Sequence, residues 1–177
     1  MDPDASCLSS GSGNGVKVLY DASPSEIRRA DYIYEVWPLL RTEQGDTFWC
    51  DEDRWGDRTN PNTSWWAVRT HDEVTLGFFS LTPQGDVIDF GTLMAPGYTA
   101  RTTFACGELA HDFLFSVLQP EEVWHRVGSY NRKSALMLGL FGARRSHVLR
   151  KVTWGGKEWE EWLYVIDWND WKKRRGL

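Results

Sequence analysis

Asn131 and Ser134 stand three residues apart where an apolar, strand-like stretch, 123–128, gives way to a helix-like one, 132–140. Asparagine at that junction is a good helix cap, which by itself is worth about 1 kcal/mol. The groups placed to move protons are Asp89, Glu108 and His125. Asp89 alternates with Ile88 and Phe90 and reads equally well as a site residue or a solvated strand residue. His125 sits in a strand and could relay a proton near neutral pH, although a lone histidine there is more often structural. Cys106 and His111 have no partner in the sequence that would make either of them part of a nucleophilic pair. Cys7, Cys50 and Cys106 are odd in number and far apart, which argues against a disulfide framework or a zinc site and for a reducing compartment.

The charge is unevenly distributed. The chain carries a net charge of -5, yet residues 123–157 contain no acid and eight bases, from Arg126 to Lys157. Residues 43–57 hold six acids against one arginine. A basic third in an acidic protein suits an anionic ligand, either a phosphorylated cofactor or nucleic acid; its bland reading is a solvated face paired with the acids. The eleven tryptophans favour cores with polar margins, and interfaces. No apolar run approaches a membrane span, and the start lacks the basic and apolar blocks of a signal peptide. The expected location is cytoplasmic.

The elements that must position these residues follow from periodicity. Val16–Tyr20 reads as a short strand and Ser23–Leu40 as a helix, with Pro24 at its first position and apolar residues at helical spacing. Residues 41–63 read as an acidic, turn-rich insertion. The period then becomes two, and 64–69, 74–81 and 87–94 read as an antiparallel meander with hairpin-length turns. Residues 102–118 form the next helix and 123–128 a further strand. Residues 132–140 form a helix capped by Asn131. Residues 148–154 and 158–167 form a hairpin turning at Gly155-Gly156, and the chain ends in a short polar tail. The fold class is α+β, a mixed, mainly antiparallel sheet of six to seven strands flanked by helices. Residues 1–15 are expected to be a disordered arm and 16–177 a single domain.

This order, with Asn131, Ser134, Leu140-Phe141-Gly142-Ala143, Arg144-Arg145 and Arg150, the Gly155-Gly156 turn and Ile166-Asp167-Trp168, resembles the GNAT superfamily of acyl-CoA N-acyltransferases. The branch it looks most similar to contains the ribosomal-protein and amino-group acetyltransferases. The resemblance covers roughly residues 64–170. It implies that Asn131 lies beside the pantetheine arm of acetyl-CoA, with Ser134 in the same motif. It implies that the main-chain N–H near Leu93 or Met94 polarises the thioester. It also implies that the diphosphate binds the first turn of the helix after the fourth strand, at Arg101, Thr102, Thr103 and Phe104. That turn is degenerate: Ala100, Thr102 and Phe104 stand where the family pattern has glycines. The tyrosine that many members place seven residues after the asparagine is Leu138 here.

The resemblance therefore implies an acetyl-CoA-dependent N-acetyltransferase acting on a primary amine of a protein or small molecule. Asp89 and His125 are its candidate bases, and the acidic segment would suit a cationic acceptor. The alternative is a GNAT-fold binding or assembly module without CoA chemistry, with Trp154, Trp159, Trp162, Trp168 and Trp171 serving an interface in a homo-oligomer or with another partner. Nucleic-acid binding through the basic third and the Lys172–Arg175 tail is a third reading, against which the acidic net charge counts.

Overall fold

The first strand of the sheet, β1 (Glu26–Arg29), lies inside a stretch whose spacing predicts a helix. In the computed structural model, which describes residues 19–36, Pro38 and 60–177, this segment pairs antiparallel with β2 (Ser64–Arg69), Ile27 lying opposite Val68. The expected helix over 23–40 is thus corrected. Pairing to a neighbouring strand outweighs a weak intrinsic helical preference. Among the described residues its helical part is a π-turn over Tyr32–Val36, with Pro38 also helical. Asp31 initiates that turn by accepting from Tyr34 N–H at 3.0 Å, and Glu35 reaches back to Asp31 N–H at 2.9 Å. Of the expected strand at 16–20, Tyr20 forms one bridge, to Tyr98; residues 16–18, the arm at 1–15 and most of the acidic insertion, 41–59, lie outside the described residues.

The expected meander is present. β2, β3 (Thr75–Gln84) and β4 (Val87–Met94) pair antiparallel. The chain then forms α1 (Ala100–Phe113), extended by a π-turn over Leu114–Leu118 that Gln119 ends in the left-handed conformation. β5 (Glu122–Gly128) follows, then α2 (Arg132–Leu140) with Asn131 as its cap, as expected. β6 (Arg144–Trp154) and β7 (Lys157–Asp167) make the expected hairpin, in which Gly155 and Gly156 take φ of 57° and 71°, a conformation costly for other residues. The seven strands form one sheet in the order β1-β2-β3-β4-β5-β7-β6. All pairs are antiparallel except β4 with β5.

The polar tail expected at the C-terminus is instead α3 (Trp168–Arg175). Asp167 caps it by accepting from Asp170 N–H at 2.8 Å, and Gly176 ends it. Composition hides this helix because only one turn-facing residue, Trp171, is buried, and it is buried completely. Trp171 therefore belongs to the core and not to an interface. Its indole N–H donates to Asp112 at 2.9 Å, which satisfies the polar end of an otherwise apolar side chain.

Two cores cover the two faces of the sheet. The larger joins Phe79, Phe90, Val123 and Ile166 of the sheet to Cys106, Ala110 and Leu114 of α1, Leu138 and Phe141 at α2, and Trp171 of α3. The smaller holds Ala30, Val36, Trp65, Ala67, Phe78 and Leu93 on the opposite face. Gly107 allows α1 to meet the end of α2: a Cβ there would lie 2.4 Å from the Phe141 ring.

Candidate functional site

Strands β4 and β5 are parallel neighbours, so both end at the same edge of the sheet, and α1 and α2 both begin there. Their pairing covers only Val87–Asp89 with Glu122–Trp124, although β4 continues to Met94 and β5 to Gly128. The strands part after Asp89 and Trp124 and leave a wedge that opens toward the starts of the two helices.

The register decides which main-chain groups line the wedge. Ala95 N–H donates to Leu76 C=O. In an antiparallel ladder the direction of the main-chain groups alternates, so Leu93 and Gly91 turn theirs toward β3. Phe90, Thr92 and Met94 turn theirs into the wedge. Pro83, which has no N–H, lies opposite Ile88, as the same alternation requires. Of the two residues expected to offer an N–H, Met94 thus directs its donor to the wedge, whereas Leu93 is turned to β3 and buries its side chain in the smaller core.

Asn131 Oδ1 accepts from Ser134 N–H at 3.1 Å and so caps α2. The cap uses the oxygen and leaves the Nδ2 donors to other partners. Ser134 is half-buried one turn inside. At the start of α1, Thr99 is the cap and accepts from Thr102 N–H at 3.3 Å. Arg101 is exposed. Thr102 is buried, and its hydroxyl accepts from Ala22 N–H at 2.9 Å. Thr103 donates its hydroxyl to Thr99 C=O at 3.1 Å. Phe104 points away from the helix start and stacks on Phe141, with ring centroids 4.8 Å apart. Arg101, Asn131, Ser134 and the Met94 main chain therefore gather at one end of the sheet, while the side chains of Leu93, Thr102 and Phe104 are committed to packing or internal bonds.

Asp89 and His125 lie at the closed end of the wedge, on opposite faces. His125 touches the Phe90 ring on the α1 face, at 5.0 Å between centroids. Asp89 precedes Phe90 and so faces the other way. Its Oδ2 meets Arg126 Nε at 2.9 Å across the two strands. The ion pair and the ring contact together clasp the point at which the strands part.

His111, which has no visible partner in sequence, proves to be the partner of His125. Their Nε2 atoms are 3.1 Å apart in a buried contact, and His111 Nδ1 lies 2.7 Å from Gly107 C=O. Because a carbonyl can only accept, Nδ1 carries the proton and Nε2 of a neutral His111 is the acceptor for His125. Burial is the main reason that the His111 pKa falls to about 4, opposed by the Gly107 bond. Burial, and then the neighbouring His111, hold His125 well below its ordinary value. Both rings are neutral at pH 7. Burial pushes the Cys106 thiol up to about 12, which leaves it inert as a nucleophile. No spacing in the sequence signals this pairing, because His111 and His125 lie on different elements.

Much of the basic third is paired within the sheet. Arg150 meets Glu161 at 2.8 Å, Lys151 meets Glu158 at 2.7 Å, and Arg145 lies over the Trp162 ring at 3.4 Å. No helix among the described residues is long and apolar enough to cross a membrane.

Neither protein-family models nor curated protein sequences yield a match to the chain. Solved structures do. Mutant forms of the spermidine/spermine N-acetyltransferase SpeG from Vibrio cholerae superpose with a TM-score of 0.69 at 12% identity, over 85% of this chain and 97% of that one. The spermidine N-acetyltransferase from Vibrio cholerae in complex with CoA and spermine gives 0.69 at 13% identity, over 82% and 96%. A structure described as a putative acetyltransferase gives 0.67 at 19% identity, over 90% and 96%. With its seven-stranded mixed sheet and flanking helices, the chain has a GNAT-like fold, shared with these structures.

Proposed function

We propose that the wedge binds acetyl-CoA and that the protein transfers the acetyl group to a primary amine of a small molecule or a protein. The observation that carries this reading is the parting of β4 and β5 after three pairs, with main-chain donors turned into the gap and two helices starting at its mouth. It is supported by the shared fold with acetyltransferases, one of them described in complex with CoA and spermine.

In this reading Met94 N–H polarises the thioester carbonyl, a directed donor acting where charge develops. Asn131 Nδ2 and Ser134 hold the pantetheine arm, Leu93 fixes the strand through its buried side chain, and Arg101, Thr102, Thr103 and Phe104 form the turn facing the diphosphate. The amine nitrogen bonds to the acetyl carbon, the C–S bond breaks, and the proton lost by the amine balances the one that the thiolate gains. Asp89 takes the amine proton through water, while His125, buried on the other face and bonded to His111, holds the apex of the wedge without taking a proton.

A non-catalytic module of the same fold is the second reading. It is favoured by Leu138, which is buried in the core where many family members carry the tyrosine acid. Thiol release from acetyl-CoA in the presence of polyamines and other primary amines separates the two. Amine-dependent release supports the enzyme, whereas donor binding without release across the panel supports the module.

A further inference from the structure

The residues ahead of β1 are tied to the start of α1 by four hydrogen bonds. Tyr20 N–H donates to Gly97 C=O at 2.8 Å and Thr99 N–H to Tyr20 C=O at 3.2 Å. Ala22 N–H donates to Thr102 Oγ1 at 2.9 Å, and Thr99 Oγ1 donates to the Asp21 carboxylate. Ala22 and Thr102 are 80 residues apart in sequence, so this is a tertiary strap and not a local turn.

The strap crosses the turn that faces the diphosphate in the proposed function. Thr102 N–H is already capped by Thr99 Oγ1 at 3.3 Å, and Thr99 N–H is bonded to Tyr20 C=O of the strap at 3.2 Å. Two of the four donors that a helix start leaves free are thus used internally. Asp21 adds a negative charge next to the cap, which the helix dipole favours. The same charge repels a diphosphate arriving at that turn.

We propose that Tyr20–Ala22 is a strap whose Asp21 sets donor specificity: it weakens the contribution of the phosphates, so that the donor is read mainly through its pantetheine arm. This rests on the donor reading above. It also gives the missing glycines a consequence, because Thr102 is retained there as the strap's anchor.

The test is calorimetric binding of acetyl-CoA, of S-acetylpantetheine, which has no phosphates, and of inorganic diphosphate to wild type, Asp21→Asn and the charge-conserving Asp21→Glu. Removing one like charge at a helix terminus should tighten acetyl-CoA and diphosphate by about fivefold. S-acetylpantetheine should be unchanged, and Asp21→Glu should behave as wild type. Equal tightening of all three ligands, or no change in any, overturns the strap. If neither thioester binds any of the proteins, the donor reading fails. The strap's role in donor specificity then falls with it, whereas thioester binding that Asp21→Asn leaves unaltered overturns the strap alone.

Discussion

Replacing His111 with glutamine should flatten the acid sensitivity of the fold. Glutamine keeps a donor for Gly107 C=O and an acceptor for His125 but does not titrate. In the wild type, His111 binds a proton far more readily when unfolded, with the pKa near 6.5, than when folded, with the pKa at about 4. The unfolded state therefore takes up the proton first as pH falls, so this contribution to stability is complete above pH 6.5 and is lost between there and pH 4. The full loss is about 3 kcal/mol, and about 2 kcal/mol of it falls between pH 7.5 and pH 5. His125 is shifted in the same direction and adds to the slope in both proteins. Urea unfolding followed by tryptophan fluorescence, with buried Trp171 as a reporter, measures both at the two pH values. The wild type should lose about 2 kcal/mol more than His111→Gln on going to pH 5. Parallel losses would refute the buried, neutral histidine pair.

Other substitutions test the packing and the cap. Gly107→Val puts side-chain atoms into the Phe141 ring and should cost about 1–3 kcal/mol, read as a lower Tm, with partial recovery when Phe141→Leu is added. Trp171→Ala empties a fully buried site and removes the indole bond to Asp112, which stays paired with Arg175, at a cost of about 3–5 kcal/mol in chemical denaturation. Asn131→Ser keeps a capping oxygen while Asn131→Ala removes it, so only the alanine variant should lose about 1 kcal/mol of stability. In the donor reading both should weaken acetyl-CoA, because both remove Nδ2.

The sheet from β2 onward was legible in the sequence because its strands alternate and its turns carry the expected residues. The α2 cap and the Gly155-Gly156 hairpin were legible for the same reason: local chemistry specifies them. What was hidden depends on partners distant in sequence. β1 looks helical until it pairs with β2, and α3 looks like a tail because a single tryptophan anchors it. Within the site, sequence could name Leu93 or Met94 as the donor residue, but only the β3–β4 register separates them. It showed that the α1 turn lacks glycines, but not that the Thr102 hydroxyl is bonded to Ala22. His125 and His111 were each visible as lone histidines, and their contact follows only from α1 lying over β5.

The claim that the wedge holds an acyl donor is tested most directly by amide hydrogen exchange with and without acetyl-CoA. The account predicts protection of the Thr92 and Met94 amides on binding, with that of Leu93, already turned to β3, unchanged. No binding at millimolar acetyl-CoA, or binding that leaves the β4 amides unaltered, would contradict it.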